Sequence, residues 1–258
     1  MTTVWIHGIT GRMGQALKHE IEASSLFQLK GGSALDYCCH FENNQLKESK
    51  DFSSLESAKL LIDFSSKKGN EDIFKILKNR DSIPSAVLIA TTALTKTAIK
   101  DWENLAKNSA IRLLIAPNTS LGILIQMQVS KQIARILKPH DFDIEIVESH
   151  HRHKIDSPSG TANFLAENIA EQEQLDICTN RLDRRKENEI GVTAVRGGNV
   201  FGEHTVRFMG LSEELEVSHR ALSRELFAKG ALVLSQWLMK QKPNTYKLED
   251  IDLSNIGY

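Results

Sequence analysis

The strongest constraint on the fold is a rhythm in the first half of the chain, where short apolar runs alternate with amphipathic stretches. The runs are "VWIH" (4–7), "FQLKGG" (27–32), "KLLIDF" (59–64), "AVLIAT" (86–91) and "IRLLIA" (111–116). Each has the length and apolar content of a strand buried on both faces. Segments 12–23, 70–79 and 95–107 lie between runs and carry a helical period. Strand followed by helix, repeated, predicts a parallel sheet with helices on its faces.

The turn after the first run sharpens this expectation. "VWIHGITGRMG" places Gly8, Gly11 and Gly14 directly after a strand and at the start of a helix. Glycines let the backbone approach a pyrophosphate, and the free N–H groups of a helix start point at it. The spacing is GxxGxxG rather than the commoner GxGxxG, so a tight strand–helix turn without a ligand is the alternative. In the context of the repeated βα pattern it predicts a Rossmann-type dinucleotide-binding domain. An acidic residue after the second strand would hold the adenosine ribose, and Asp36 is the first candidate. No basic residue follows it immediately, and Arg12 could lie near a 2′-phosphate, so NADH and NADPH both stay open.

The pattern changes after Pro117. Residues 121–138 form a long apolar-rich helix candidate. "FDIEIVES" (142–149) alternates as a half-exposed strand, with Asp143 and Glu145 opposite Ile144 and Ile146. Strand-like segments at 190–196, 204–209 and 214–219 follow, then a helix candidate at 223–240. This half reads as an α+β domain whose open mixed sheet is mainly antiparallel. The charge run "LDRRKENEI" (182–190) reads as a solvated loop.

Composition narrows the function class. The net charge is −1, so no global field favours nucleic acid or an anionic membrane. Cys38, Cys39 and Cys178 fit neither a disulfide framework nor a metal spacing and read as reduced thiols. The first residues lack a secretory pattern and no apolar run approaches membrane-spanning length, so the expected location is the cytoplasm.

The densest chemistry lies in "SHHRHKIDSPSGT" (149–161). His150, His151 and His153, with Glu148 or Asp156, could ligate a metal by count. Neighbours on an extended segment point to opposite faces, however, and Arg152 and Lys154 add positive charge, so no metal is expected. "PSGT" opens a helix candidate at 161–170. Ser159, Gly160 and Thr161 there combine small side chains, hydroxyls and free N–H groups, which suits a carboxylate or phosphate. Lys154 adds a cation, and His150 or a neighbour offers a proton donor that titrates near neutrality. Such a set would hold a small dianionic acid and protonate it.

With these two regions joined, the chain closely resembles the dihydrodipicolinate (4-hydroxy-tetrahydrodipicolinate) reductases of lysine and diaminopimelate biosynthesis. Matching segments run nearly end to end: "GITGRMG" (8–14), "IDFS" (62–65), "IATTAL" (89–94), "APNTSLGI" (116–123), "IEIVESHHRHKIDSPSGTA" (144–162), "VRGGNVFGEHTVRF" (195–208) and "VSHRALSRELFAKGAL" (217–232). The resemblance implies NADH- or NADPH-dependent reduction of a cyclic dicarboxylate by a homotetramer whose second domain builds a shared sheet. It implies a nucleotide domain of residues 1–120 and 225–258 and a substrate-binding and oligomerisation domain of residues 121–224.

Residue by residue, the resemblance places Gly8, Ile9, Thr10, Gly11, Arg12 and Met13 at the pyrophosphate. Ala90, Thr91 and Thr92, with Ala116, Pro117, Asn118 and Thr119, would line the nicotinamide side. His150 resembles the family's catalytic histidine and Lys154 its proton-donating, substrate-binding lysine. His151, Ser159, Gly160 and Thr161 resemble the positions that bind substrate carboxylates. Two stretches depart from the pattern: Ala90-Thr91-Thr92-Ala93 stands for the usual GTTG, and Asn118-Thr119-Ser120 for the usual NFS. Two other classes are kept as rivals. One is a non-catalytic nucleotide sensor, which would bind cofactor without oxidising it. The other is a metal-dependent hydrolase built on 148–156, which would lose activity to a chelator.

Overall fold

Thirteen strands and seven α-helices build this computed structural model, which describes residues 1–34, 38–42, 45–49, 52–92, 94–179, 181–253 and 256. The chain divides into two units, Met1–Ser120 with Glu225–Tyr258, and Leu121–Arg224. In chain order the first unit contains β1 (Thr2–His7), α1 (Arg12–Glu22), β2 (Phe27–Ser33), β3 (Cys38–Glu42), β4 (Gln45–Ser49) and the single turn α2 (Ser53–Glu56). It continues with β5 (Leu60–Asp63), α3 (Lys67–Lys78), β6 (Ala86–Ile89), α4 (Lys96–Asn108) and β7 (Arg112–Ile115). The second unit contains α5 (Leu121–Leu137), β8 (Asp143–His150), α6 (Gly160–Glu173), β9 (Asp176–Thr179), β10 (Glu189–Arg196), β11 (Glu203–Met209) and β12 (Glu214–Arg220). The chain then returns to the first unit with α7 (Glu225–Met239) and β13 (Asn244–Lys247).

The first sheet runs β13-β7-β6-β5-β1-β2-β3-β4, parallel from β13 to β2 and closed at its edge by the antiparallel β3–β4 hairpin. Its apolar runs are buried as a two-sided sheet requires: β5 and β6 are covered at every residue. Trp5, Leu61, Val87 and Leu113 from successive strands pack with Ile73 and Leu77 of α3 and Trp102 and Ala106 of α4. Each fully buried Leu, Ile or Val side chain contributes about 1.5–3 kcal/mol. Ser66 and Thr95 cap α3 and α4 by accepting hydrogen bonds from Gly69 N and Ala98 N.

Three pieces of this sheet lie outside the expected strands. The β3–β4 hairpin falls where the apolar rhythm breaks, and β13 is a half-exposed four-residue strand with no apolar run. Helix α3 also begins at Lys67 rather than at residue 70, because Ser66 supplies the cap.

The second sheet has the order β12-β11-β8-β10-β9. Its β12–β11 and β11–β8 pairings are antiparallel, while β8–β10 and β10–β9 are parallel. The sheet is therefore evenly mixed rather than mainly antiparallel, because α6 crosses over from β8 to the edge strand β9 and β10 then runs between the two, parallel to both. Strand β9 is too short and too exposed to have announced itself. The 182–190 run is not simply solvated. Arg185 pairs with Asp143 at 2.7 Å and also with Glu145, while neighbouring Arg181 bridges Glu145 and Glu189, each at 2.7 Å. Among the described residues no helix is long and apolar enough to cross a membrane.

Candidate active site

In the first unit the expected cofactor residues leave one edge of the parallel sheet. Gly8 follows β1, Ala90 follows β6 and Ala116 follows β7, and the carboxyl ends of these strands are stitched together. Phe64 N donates to His7 O at 3.0 Å, Ala90 N to Asp63 O at 2.9 Å, and Ala116 N to Ile89 O at 2.8 Å. The glycines are required sterically. Gly8 has φ +86°, and a Cβ there would lie 2.7 Å from Phe64 O; one on Gly14 would lie 2.2 Å from Gly8 O. Gly11 is the N-cap of α1 and offers no side-chain cap, unlike Ser66 and Thr95. The first turn of α1 contains no acidic residue either, so it suits a pyrophosphate.

Around this turn, Thr10, Gly11 and Arg12 are exposed, Met13 is half-buried and Ile9 is buried. Thr92 and Pro117 are exposed, Asn118 is half-buried, and Ala90, Thr91, Ala116 and Thr119 are buried. Asp36 and Ala93 lie outside the described residues.

A buried polar network holds this edge. Asp63, at the end of β5, accepts from Asn70 Nδ2 at 2.7 Å, Thr91 Oγ1 at 2.9 Å and Ser65 N at 2.9 Å. Asn70 Oδ1 in turn accepts from Trp102 Nε1 at 3.0 Å. Next to it, His7 bridges Ser33 Oγ at 2.7 Å and Gly69 O at 2.8 Å. Thr119 Oγ1 donates to Phe227 O at 2.7 Å.

In the second unit the centre is built where β8 ends. The inward face of β8 carries Ile144, Ile146, Glu148 and His150, so period-two alternation places a carboxylate and an imidazole on the buried side. Glu148 is fully buried and every lone-pair direction is used. Its Oε2 accepts from His150 Nδ1 at 2.6 Å and Arg196 Nη1 at 2.8 Å; its Oε1 accepts from Arg196 Nη2 at 2.7 Å and Ser159 N at 2.9 Å. Burial alone would raise its pKa, but the hydrogen bonds from His150, Arg196 and Ser159 outweigh that and lower it to about 2.

The loop after β8 turns tightly against 197–200: His151 N donates to Val200 O at 2.8 Å, and Gly197 N to His150 O at 3.0 Å. This brings Lys154 onto Asp156, Nζ to Oδ1 2.8 Å, while Gly160 N approaches Asp156 Oδ2 at 3.3 Å. Burial would raise the Asp156 pKa, but the hydrogen bond and charge of Lys154 lower it overall. Ser159 is the N-cap of α6 and is buried. Its hydroxyl accepts from Ala162 N and sits 3.2 Å from His204 Nε2. That hydroxyl is thus engaged in holding the helix start, whereas Gly160 is exposed with open space around it. Thr161 follows in the same first turn, half-buried.

His204 lies edge-to-face against His150, ring centroids 5.2 Å apart. Burial, then the charge of His150, push its pKa down to about 3. His151 is also lowered, by desolvation and by the positive charges of His150, His153, Lys154 and Arg224. Among the described residues no three His, Cys, Asp or Glu side chains form a group that could hold a metal.

Sequence reading missed Arg196, His204, Asp63 and Asn70, and it weighed Glu148 only as a metal ligand. The signal for Glu148 was present, because it extends the inward face of β8.

A Rossmann-type sheet with an uncapped glycine turn, and a second α+β unit carrying a histidine–carboxylate centre beside a lysine, mark the class of Rossmann-type oxidoreductases. Comparison with known proteins gives the family. The model for the dihydrodipicolinate reductase N-terminus matches residues 2–119 and that for the C-terminus matches 122–251. A 4-hydroxy-tetrahydrodipicolinate reductase of Caldanaerobacter subterraneus subsp. tengcongensis is 36% identical over 97% of this chain and 98% of its own. The enzyme of the same name from Aquifex aeolicus is 43% identical, over 64% of this chain and 63% of its own length. A solved dihydrodipicolinate reductase from Paenisporosarcina sp. TG-14, described as dipicolinate-bound, shares the fold with a TM-score of 0.74 at 20% identity, covering 97% of this chain and 100% of that one. The chain belongs to the dihydrodipicolinate reductase family.

Proposed function

We propose that this chain reduces 4-hydroxy-tetrahydrodipicolinate to tetrahydrodipicolinate with NADH or NADPH, in lysine and diaminopimelate biosynthesis, and that His150 and Lys154 carry the proton chemistry. The observation that carries this reading is the buried Glu148–His150 pair one turn from Lys154 and the α6 start. Bound at the Gly8–Met13 turn, with Ala90–Thr92 and Ala116–Thr119 along the nicotinamide side, the cofactor supplies the hydride.

The protein supplies charge, orientation and a proton. Lys154 and the N–H groups of Gly160 and Thr161 neutralise a substrate carboxylate, and His151 offers a second contact. To bind, that carboxylate displaces Asp156 from Lys154. The hydroxyl of the substrate would leave as water, the hydride would add to the unsaturated ring so formed, and His150 or Lys154 would deliver the one proton the reduction consumes. Assembly is as a homotetramer through the second sheet. On one face Val147, Thr193, Val195 and Thr205 are half-buried or exposed, while Ile144, Ile146, Ile190, Val192, Val206 and Phe208 of the opposite face are buried.

Absorbance at 340 nm, with enzymically generated substrate and each cofactor in turn, tests the reading. Cofactor oxidation on adding substrate is expected. Lys154→Ala should lower kcat by on the order of 10²–10⁴. Its cofactor dissociation constant should stay unchanged, because Lys154 belongs to the second unit. Wild-type turnover in that variant would sink the mechanism, and a single-chain mass in solution would sink the assembly.

A further inference from the structure

We propose that Glu148 is the positioning residue of this site: clamped by Arg196, its carboxylate fixes the proton of His150 on Nδ1 and holds the first turn of α6. One side chain thereby sets both the acid–base atom and the anion-facing helix start. The inference rests on the reading that His150 takes part in proton transfer.

The geometry leaves the carboxylate no freedom. Arg196 grips both oxygens, at 2.8 and 2.7 Å, and its Nη2 also donates to Asp156 O at 2.7 Å. A bidentate guanidinium fixes the plane of a carboxylate as well as its charge. Within that plane Oε2 faces His150 Nδ1 and Oε1 faces Ser159 N. An ionised carboxylate only accepts, so Nδ1 must donate and Nε2 is the atom left for exchange with a ligand. The Nε2 edge faces Gly202, where a Cβ would come within 2.9 Å of it, so any larger residue there would crowd that nitrogen.

A purely structural role accounts for less. A buried ion pair contributes little net stability compared with apolar packing, so the core alone does not require a charge here. His204 on the neighbouring strand β11 stands opposite Glu148 in register but makes its hydrogen bond to Ser159 instead. The carboxylate is thus reserved for His150, Arg196 and the helix start.

The test begins on the wild-type protein. Nitrogen-15 NMR of its histidine rings, with His150 assigned by the signals lost in His150→Gln, should show His150 protonated on Nδ1 when neutral. The opposite tautomer would overturn the proposal without any variant. Glu148→Gln keeps the shape but can donate as well as accept. It should populate the other tautomer and lower kcat by about 10² or more, with the cofactor dissociation constant unchanged. Turnover within about twofold of wild type, or a lower kcat with the His150 tautomer unaltered, overturns it. If Glu148→Gln does not fold, the wild-type spectrum decides. A His150→Gln variant with full turnover instead sinks the reading of His150, an outcome distinct from a wrong tautomer.

Discussion

Two carboxylates, Asp63 and Glu148, are both wholly removed from solvent, and both stand near the carboxyl end of a strand. Their partners differ in kind. Asp63 is surrounded by neutral donors, the Asn70 amide, the Thr91 hydroxyl and the Ser65 N–H. Glu148 is held by a guanidinium and an imidazole as well as one N–H. Fixed dipoles can orient a loop but cannot exchange protons; a titratable partner can do both. The first unit therefore uses its buried charge to shape a surface, and the second uses its own to set a protonation state.

Acid should separate the two most strongly. Glu148 has a folded pKa lowered to about 2, so its stabilisation is present above its unfolded value and is lost as pH falls through the folded one. His204 is a base whose folded pKa is lowered to about 3 from 6.5. Between those values the unfolded chain binds the extra proton, so stability declines as pH falls from 6.5 toward 3. At about 1.4 kcal/mol per unit, the combined loss amounts to several kcal/mol. Hydrogen exchange followed against pH should show the second unit losing protection first, and His204→Gln should flatten the upper part of the decline. Earlier loss in the first unit would break the contrast.

Asp63→Asn tests the other side. The amide offers one acceptor where three donors converge, leaving at least one unsatisfied at a cost of about 1–3 kcal/mol. Thr91 then loses its anchor. Thermal stability and cofactor affinity should both fall, while kcat at saturating cofactor survives. Glu148→Gln should also lose thermal stability, but with kcat falling and cofactor affinity intact. If both variants lose kcat equally, the division between shaping and proton chemistry is wrong.

How much of this was legible follows the range of each interaction. The strand rhythm and the glycine turn are local, and β1, β2, β5, β6 and β7 follow from them. The inward face of β8 was also local: Ile144 and Ile146 define it, and two more steps of the same period reach Glu148 and His150. Arg196 reaches Glu148 across 48 residues and Thr91 reaches Asp63 across 28, through strand pairings that no single segment encodes. Ser159 is ambiguous for a related reason. A serine at a helix start signals either a cap or an anion donor, and His204 from β11 helps commit it to the cap. Strands β9 and β13 failed as signals because four residues that are all exposed or half-buried carry no period.

A smaller effect is expected at Thr119. Its hydroxyl ties the end of the first segment to the first turn of α7 through Phe227 O, at 2.7 Å. Thr119→Val keeps the shape and removes this hydrogen bond, which should cost about 1 kcal/mol in denaturant unfolding. An unchanged midpoint would mean that the bond adds nothing to the helix's own hydrogen bonding.

The smallest effect concerns how the second unit receives its substrate. Asp156 spans Lys154 and Gly160, the pair proposed to anchor a substrate carboxylate, so binding exchanges one carboxylate for another. The Asp156 side chain is 55% exposed and Lys154 is 23% exposed, so the pair is worth no more than about 0–1 kcal/mol in water. Such a contact orients the ammonium without holding it against a dianion. Asp156→Asn removes the competitor and should lower the substrate KM by about two- to fivefold with kcat nearly unchanged. A raised KM would instead mean that Asp156 aligns Lys154 for the substrate rather than competing with it. The proton chemistry of this unit would then depend on two carboxylates, Glu148 behind His150 and Asp156 behind Lys154.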